Sequence, residues 1–229
     1  MAKYPYKLNP DEFGAHQRTI NWVEPGKKVL EVGCAQGFMS EQLVKKNCSV
    51  TGIEINKEAA KEAKKYCQKV IVGDVEDSET AAQLGKEKFE VIIFGGVLEH
   101  LKDPETSLKR LVKYLDKKGK VIISVPNVAF LTTRLQILLG RFEYADWGNL
   151  DKTHLRFFTQ DLILEMVNNC GLKVEKMDYT SNFTQLPLHM KILYPLVGER
   201  RWWRKLEYKI TGLWPRGLAL QFLLFCRKK

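Results

Sequence analysis

The apolar positions between Lys28 and Asn127 follow two alternating patterns. Short runs of consecutive aliphatic and β-branched residues are typical of strands buried on both faces. They predict five strands, over 28–33, 49–55, 69–74, 89–95 and 120–126. The longer stretches between them have the apolar spacing of amphipathic helices, over 38–46, 56–67, 77–85 and 104–116. Strands and helices that alternate in this way predict an α/β fold, a largely parallel sheet with helices on both faces.

The alternation stops after Asn127. Residues 128–158 are aromatic and rich in arginine, and a stretch of this length predicts a substrate lid, called the lid below. A basic, aromatic insertion, residues 181–217, is predicted to separate the last two strands. The remaining predicted elements are an N-terminal amphipathic helix over 10–23, a helix over 159–171 and strands over 172–180 and 218–226. Gly119 follows the helix that ends near 116, where it is expected to act as a C-terminal cap.

The composition places these elements in one ordinary globular domain. The chain has 229 residues, 45% of them hydrophobic and 28% charged, which suits a single domain over 1–229 with a large core. The first residues lack the apolar segment of a signal peptide, and apolar runs such as 217–226 reach about half of the roughly 20 residues that a membrane span needs. A cytoplasmic protein is expected. The five cysteines are scattered and form no C-x-x-C pair, so neither a disulfide framework nor a metal site is expected.

The positive charge is concentrated near the C-terminus. Ten lysines and arginines and two glutamates lie between Lys191 and Lys229, so this segment carries +8 of the net charge of +10. Tryptophans and tyrosines alternate with the basic residues over 190–216, a composition that suits a peripheral contact with a membrane surface or a lipid-linked substrate. Packing on the core, an oligomer contact and another polyanion are the alternatives. Nucleic acid is not expected, because no recognised binding module is present.

Glycines and acids fall at the predicted carboxyl ends of successive strands. Gly33 and Gly37 form a G-x-x-x-G turn, in which missing side chains let the backbone approach a ligand. Glu54 follows Gly33 by 21 residues, the spacing at which a carboxylate accepts hydrogen bonds from ribose hydroxyls. Asp74, one strand further out, is placed to accept from an adenine amino group. The middle glycine of a dinucleotide turn is missing, so the pattern favours an adenosine ligand without phosphates.

The segments VLEVGCAQG, IEI, GDVED, FEVIIFGGVLEHLKDP and LKRLVKYLDKKGKVIISVPN together resemble the class I S-adenosylmethionine-dependent methyltransferases. The resemblance implies a Rossmann-like, seven-stranded mixed sheet with six parallel strands and an antiparallel last strand. It implies S-adenosyl-L-methionine as the methyl donor and S-adenosyl-L-homocysteine as the product. The residues that it places at the cofactor are Glu31, Gly33, Cys34, Ala35, Gly37, Glu54, Ile55, Asp74, Val75 and Gly96.

The segment WGNLDKTHLRFFT in the lid resembles methyltransferases of bacterial surface-glycan synthesis and, more distantly, the ubiquinone-pathway O-methyltransferases. On that resemblance His154 is the candidate general base, Asp151 its orienting partner and Arg156 a substrate contact. The alternative is that these three side chains only dock the lid onto the sheet. The expected reaction is O-methylation of a sugar or glycan-precursor hydroxyl. A small quinone-like or lipid acceptor, a non-catalytic cofactor-binding protein and a nicotinamide dehydrogenase are the alternatives.

Overall fold

A computed structural model describes residues 11–181 and 200–229, and these residues form a seven-stranded sheet. The strands are β1 (Lys28–Val32), β2 (Ser49–Glu54), β3 (Lys69–Val72), β4 (Phe89–Gly95), β5 (Leu115–Pro126), β6 (Leu172–Thr180) and β7 (Gln221–Lys228). The helices are α1 (Ala15–Trp22), α2 (Phe38–Lys45), α3 (Lys57–Ala63), α4 (Ser78–Ala82), α5 (Pro104–Val112), α6 (Leu131–Leu138), α7 (Gln160–Asn169), α8 (Arg201–Leu213) and α9 (Pro215–Leu218). A short 3-10 helix, Leu98–His100, follows β4.

The sheet has the order β3-β2-β1-β4-β5-β7-β6. β1 pairs in parallel with β2 and β4, β2 with β3, and β4 with β5, whereas β7 runs antiparallel to both β5 and β6. This arrangement confirms the prediction of six parallel strands and an antiparallel last strand. The direction of winding reverses between β1 and β4, and ligands of such sheets bind beyond the carboxyl ends of the strands at that point.

Both faces of the sheet are covered. Val29 and Leu30 are neighbours in β1 and are fully buried, yet they belong to two separate apolar clusters, one on each side of the sheet. Successive strand residues point to opposite faces, so burial of both residues requires helices on both sides. This explains why the strands read as continuous apolar runs in the sequence.

The end of α5 differs from the prediction. The helix ends at Val112, and β5 begins at Leu115 by pairing with Phe89, with a register shift before the ladder resumes at Val91. Gly119 therefore lies inside β5 and does not cap a helix. A Cβ at this position would lie 2.7 Å from the Cγ atom of Leu115, so the glycine is required by the tight backbone of the irregular strand.

Other boundaries move by a few residues. The N-terminal helix covers Ala15–Trp22 within the predicted 10–23. The last strand begins at Gln221, shortly after α9 ends at Leu218. Two of these helices begin at a side-chain N-cap: Asn56 accepts from two backbone N–H groups of α3, and Asp103 accepts from the Thr106 N–H of α5.

The described part of the basic insertion packs on the segment before α1 and on β6. The Arg204 guanidinium pairs with the Asp11 carboxylate at 2.5 Å, and the Tyr208 hydroxyl donates to Asp178. The indole of Trp203 donates to Glu207, which is completely buried. These contacts support the packing alternative for this face of α8.

Residues 182–199 lie outside the described residues, and so does that part of the predicted 181–217 insertion. On the described part, Trp202 and Leu213 are exposed, and a membrane or oligomer contact through 190–216 remains a prediction for that face. Among the residues that the structure describes, no helix combines the length and apolar character needed to cross a membrane.

Candidate functional site

A cavity of about 1090 Å³ lies at the carboxyl ends of β1 to β4 and extends under the lid. It is lined by eleven of the predicted site residues, namely Glu31, Gly33, Cys34, Ala35, Glu54, Ile55, Asp74, Val75, Gly96, Asp151 and His154. His16 of α1 also lines it, so the N-terminal helix covers part of the same cavity. The topology therefore brings together residues that are far apart in the sequence.

Gly37 is the exception among the predicted cofactor residues. It caps α2 with φ +82°, and a Cβ there would lie 3.0 Å from the Ala63 backbone and from the ring of Tyr66. The glycine is needed for the close packing of the turn against α3, and it lies outside the cavity lining. Its predicted contact with the cofactor stays a prediction beside this structural role.

The turn after β1 has a strained, fixed backbone. Gly33 has φ +67°, and a Cβ there would lie 2.6 Å from a methyl carbon of Val97. Ala35 has φ +47°, a region that residues with a side chain rarely adopt. The Ala35 N–H donates to one oxygen of the Glu54 carboxylate at 2.8 Å, and the Asn56 N–H donates to the other at 2.8 Å. Glu54 thus fixes the backbone conformation of the turn that lines the cavity. This is a second role beside its predicted contact with a ribose.

Replacement of Glu54 by glutamine is expected to weaken binding of S-adenosylhomocysteine about tenfold, or ~1.4 kcal/mol. An amide has one acceptor oxygen, so either the Ala35 or the Asn56 N–H loses its partner and meets an N–H₂ group. Isothermal titration calorimetry measures the change. Glu41→Gln is the control, because Glu41 pairs with Lys45 on α2, away from the cavity lining. Equal affinities of both variants would remove the proposed role of Glu54.

Glu31 is buried in the wall behind the turn. Its side chain accepts a hydrogen bond from the Ser40 hydroxyl. Burial raises the pKa of Glu31 to about 8, against an ordinary value of 4.5. The carboxyl group is therefore mostly protonated at neutral pH in the free protein. It still lines the cavity, so the predicted meeting with a cationic end of a ligand remains a prediction.

Titration of Glu31 is expected to lower the free energy of unfolding as the pH rises from about 4.5 to 8. In that window the folded protein keeps a proton that the unfolded chain has released, so the free energy of unfolding decreases by up to ~1.4 kcal/mol per pH unit. Glu31→Gln keeps an acceptor for Ser40 and cannot titrate. Urea unfolding at several pH values should therefore show a flatter profile for this variant, while the exposed Glu79→Gln keeps the native slope.

All five cysteines are free and buried. Cys34 lies in the turn against β2, where a Cβ at Gly52 would be 2.6 Å from its Sγ atom. The Cys67 thiol donates to the Ser40 hydroxyl at 3.1 Å. These thiols fill the space between the turn and the second strand.

Asp74 and Val75 follow β3 at the outer end of the cavity. The Asp74 carboxylate accepts from the Glu76 N–H at 2.9 Å. The Glu76 carboxylate in turn accepts from the N–H groups of Lys102 and Asp103, which ties this loop to the start of α5. The carboxylates of Glu54 and Asp74 therefore lie on the β2 and β3 side of the turn.

The other side of the turn carries two histidines. His100 ends the 3-10 helix after β4, and His154 comes from the lid; their ring centroids are 4.9 Å apart. Nδ1 of His154 lies 3.3 Å from the Asn149 carbonyl oxygen. Because a carbonyl only accepts, Nδ1 carries the proton and Nε2 has the lone pair. Burial and the neighbouring His100 lower the pKa of His154, which keeps the ring neutral near pH 7.

Asp151 occupies a different place from the one predicted for it. Its carboxylate accepts from the N–H and the hydroxyl of Thr153, and its backbone carbonyl accepts from the N–H of His154. The partner of His154 Nδ1 is the Asn149 carbonyl. Asp151 therefore shapes the turn that carries His154, and the orientation of the ring comes from the backbone.

Arg156 lies on the outside of this turn. Its guanidinium donates to the Lys102 carbonyl, and its N–H donates to the Glu99 carbonyl at 3.0 Å. These contacts support the alternative interpretation, in which Arg156 docks the lid onto the sheet. It does not line the cavity.

Glu99 is the residue that the sequence interpretation did not select. Its side chain is 4% exposed and lines the cavity beside the histidines. Burial raises its pKa to about 8, and Asp151 contributes to the increase. The available signal was the motif VLEH at the end of a strand, where a carboxylate directly precedes a histidine.

The cavity fits S-adenosylmethionine. Carboxylates at one end of the cavity suit ribose hydroxyls and an adenine amino group. Because Gly33 has no side chain, a ligand can come close to the backbone of the turn. Among the described residues, no lysine or arginine lines the cavity, which suits a ligand without phosphates. A dinucleotide would place a pyrophosphate at the start of α2.

The sheet order, the turn and the acids at the strand ends define a class I S-adenosylmethionine-dependent methyltransferase. A family model described as "Methyltransferase domain" matches residues 12–177, and the chain belongs to this family. The protein is therefore an enzyme that takes its methyl group from S-adenosyl-L-methionine and releases S-adenosyl-L-homocysteine.

Relatives with curated names agree with this assignment, and solved structures share the fold. A ubiquinone biosynthesis O-methyltransferase of Idiomarina loihiensis is 27% identical over 73% of this chain and 70% of its own length. One from Haemophilus ducreyi is 33% identical over 52% of this chain and 53% of its own length. The chain thus spans about half the length of several of these relatives. A methyltransferase structure from Archaeoglobus fulgidus covers 93% of this chain and 90% of its own, with TM-score 0.64 and 14% identity.

A second solved structure has the same fold. The magnesium protoporphyrin IX methyltransferase of Synechocystis with bound SAH covers 93% of this chain and 82% of its own, with TM-score 0.61 and 17% identity.

Proposed function

We propose that this methyltransferase transfers the methyl group to a hydroxyl oxygen of a small, quinone-like aromatic acceptor. The observation that carries the proposal is the histidine pair on the lid side of the cavity. Glu54 ends β2 and Asp74 follows β3, whereas His100 follows β4 and His154 comes from the lid. The two acids and the two histidines therefore lie on opposite sides of the turn after β1. An acceptor at the histidines would face the reacting end of a cofactor whose adenosine lies at the acids.

The chemistry at this end needs help with a proton. S-adenosylmethionine supplies a methyl group on a sulfonium, and the acceptor oxygen bonds to that carbon as the sulfur–carbon bond breaks. The hydroxyl must lose its proton in the process. His154 is neutral, with its lone pair on Nε2, and it assists this ionisation. A phenolic hydroxyl, with a pKa near 10 as in tyrosine, ionises far more easily than a sugar hydroxyl.

The walls on this side favour an aromatic acceptor. Leu101, Trp147 and Leu220 line the cavity near the lid. Apolar walls with a few polar groups are typical of sites for small organic ligands. The relatives named above are ubiquinone biosynthesis O-methyltransferases, and this favours the quinone-like alternative of the sequence analysis over a sugar or glycan acceptor.

The proposal is tested by incubating the purified protein with methyl-labelled S-adenosylmethionine and a panel of acceptors. The panel contains ortho-diphenols with and without an alkyl tail, a nucleotide sugar, and the same diphenols with both oxygens already methylated. Label is expected in a phenolic ether and in none of the blocked compounds. Transfer to the sugar, with none to the diphenols, would overturn the assignment of the acceptor.

A further inference from the structure

The N-terminal helix lies between the cavity and the basic insertion. His16 of α1 lines the cavity, and α1 packs against α2, the helix that follows the turn after β1. Arg18, two residues further along α1, pairs with Asp178 of β6. Residues two apart on a helix point in nearly opposite directions, about 200° around its axis. One side of α1 therefore faces the cavity, and the other side is held by the C-terminal part of the chain.

Asp178 and Tyr208 hold Arg18 in place. One oxygen of the Asp178 carboxylate accepts from the Arg18 guanidinium, and the other accepts from the Tyr208 hydroxyl at 2.8 Å. The guanidinium also lies over the Tyr208 ring, 4.4 Å from its centroid. The side chains of Arg18 and Asp178 are only 13% and 8% exposed. Breaking an ion pair that has so little contact with water is costly, because each charge loses its partner.

A second contact holds the segment in front of α1. The Arg204 guanidinium of α8 pairs with Asp11 at 2.5 Å, and it donates to the Ser181 carbonyl, directly after β6, at 3.0 Å. It also pairs with Glu207, which is completely buried. A buried carboxylate on the same helix fixes the position of the guanidinium, so α8 joins β6 firmly to the segment before α1.

We propose that β6 and α8 hold α1 closed over the cofactor cavity, and that Arg18 and Asp178 are positioning residues that control how fast the cofactor is released. Opening of an element that covers a ligand often sets the rate of ligand release. Movement of α1 away from the cavity separates Arg18 from Asp178, so the strength of this pair opposes the opening. This role depends on the cofactor alone and not on the identity of the acceptor.

The test compares the release of S-adenosylhomocysteine by the native chain and by Asp178→Asn. Asparagine keeps an acceptor for the Tyr208 hydroxyl but removes the charge that holds Arg18. Stopped-flow tryptophan fluorescence follows the release, since Trp147 lines the cavity. The dissociation rate is expected to rise on the order of tenfold. Arg18→Gln should have the same effect, and the double variant should add little to it, because each single change already breaks the pair.

Glu175→Gln is the matched control. Glu175 lies on the same strand as Asp178 and pairs with Arg227 of β7 at 2.9 Å, in a more exposed ion pair. The substitution thus removes an ion pair from β6 that does not involve α1, and the dissociation rate should stay at the native value. Tyr208→Phe is a milder second variant of the clamp itself. It removes one hydroxyl, keeps the ring beside Arg18 and should give a smaller rise.

Hydrogen exchange distinguishes this role from a general effect on stability. Bound S-adenosylhomocysteine should slow amide exchange in α1, and exchange in α1 should be faster in Asp178→Asn while exchange in β1 and β4 is unchanged. An unchanged dissociation rate in Asp178→Asn, Arg18→Gln and Tyr208→Phe overturns the proposal. So does an equal rise in Glu175→Gln, or exchange in α1 that does not respond to the bound product.

Discussion

Replacement of Gly33 by alanine is expected to weaken binding of S-adenosylhomocysteine on the order of 100-fold, or ~2.7 kcal/mol. The added Cβ would lie 2.6 Å from a methyl carbon of Val97, a stiff β-branched side chain packed against the core. The backbone at φ +67° also disfavours any side chain. Relief of the contact moves the turn away from the cofactor, and methyl transfer falls with the affinity.

Gly26→Ala is a matched control for this change. Gly26 has φ +74°, close to that of Gly33, but a Cβ there has no atom within 4 Å. It therefore carries the same backbone strain, about 1 kcal/mol of stability, without the collision and outside the cavity lining. Calorimetry should show unchanged affinity for Gly26→Ala. A comparable loss in both variants would mean that strain, and not the contact with Val97, determines the effect.

Replacement of His154 by glutamine is expected to lower kcat on the order of 100-fold, the usual contribution of a group that assists proton removal. The predicted cofactor contacts of Glu54 and Asp74 lie on the opposite side of the turn, so the affinity for S-adenosylhomocysteine should stay unchanged. Steady-state kinetics with the best acceptor, at saturating cofactor, gives kcat and KM separately. Because the change acts on the chemical step, most of the loss should appear in kcat.

Lys152→Gln is the control for the lid. Lys152 is exposed on the same turn and its ammonium pairs with Asp146, so the substitution perturbs the lid without changing the cavity wall. Its kcat should equal that of the native enzyme. If both variants lose activity equally, His154 has a structural role in docking the lid, which is the alternative that the sequence left open.

The fold was predictable because its signals are local. The apolar runs of the strands, the caps at Asn56 and Asp103 and the positions of Glu54 and Asp74 all follow from neighbouring residues. The prediction for Gly119 was wrong because a distant contact decided it: Leu115 pairs with Phe89 across the sheet, which ends the helix early. Local propensity gives way to tertiary packing at such positions.

The lid side of the site was less predictable for the same reason. Glu99 acquires its character from burial, and its neighbour His154 is brought to it across more than fifty residues of chain. The sequence showed a histidine near Asp151 and suggested their pairing. The structure instead orients the ring with the Asn149 carbonyl, a backbone group that carries no signal in the identity of a residue.

The contact between Cys34 and Gly52 has an evolutionary consequence. A side chain on β2 at position 52 would meet the thiol at 2.6 Å, although Gly52 lies in the interior of a strand and does not line the cavity. The two positions therefore constrain each other. A homologue with alanine at 52 needs a smaller residue at 34, and a smaller residue at 34 with glycine kept at 52 leaves a gap in the core. We expect the two residues to covary among homologues. A mutational scan that changes one residue at a time would find that neither position tolerates substitution, although a paired substitution at both positions is tolerated.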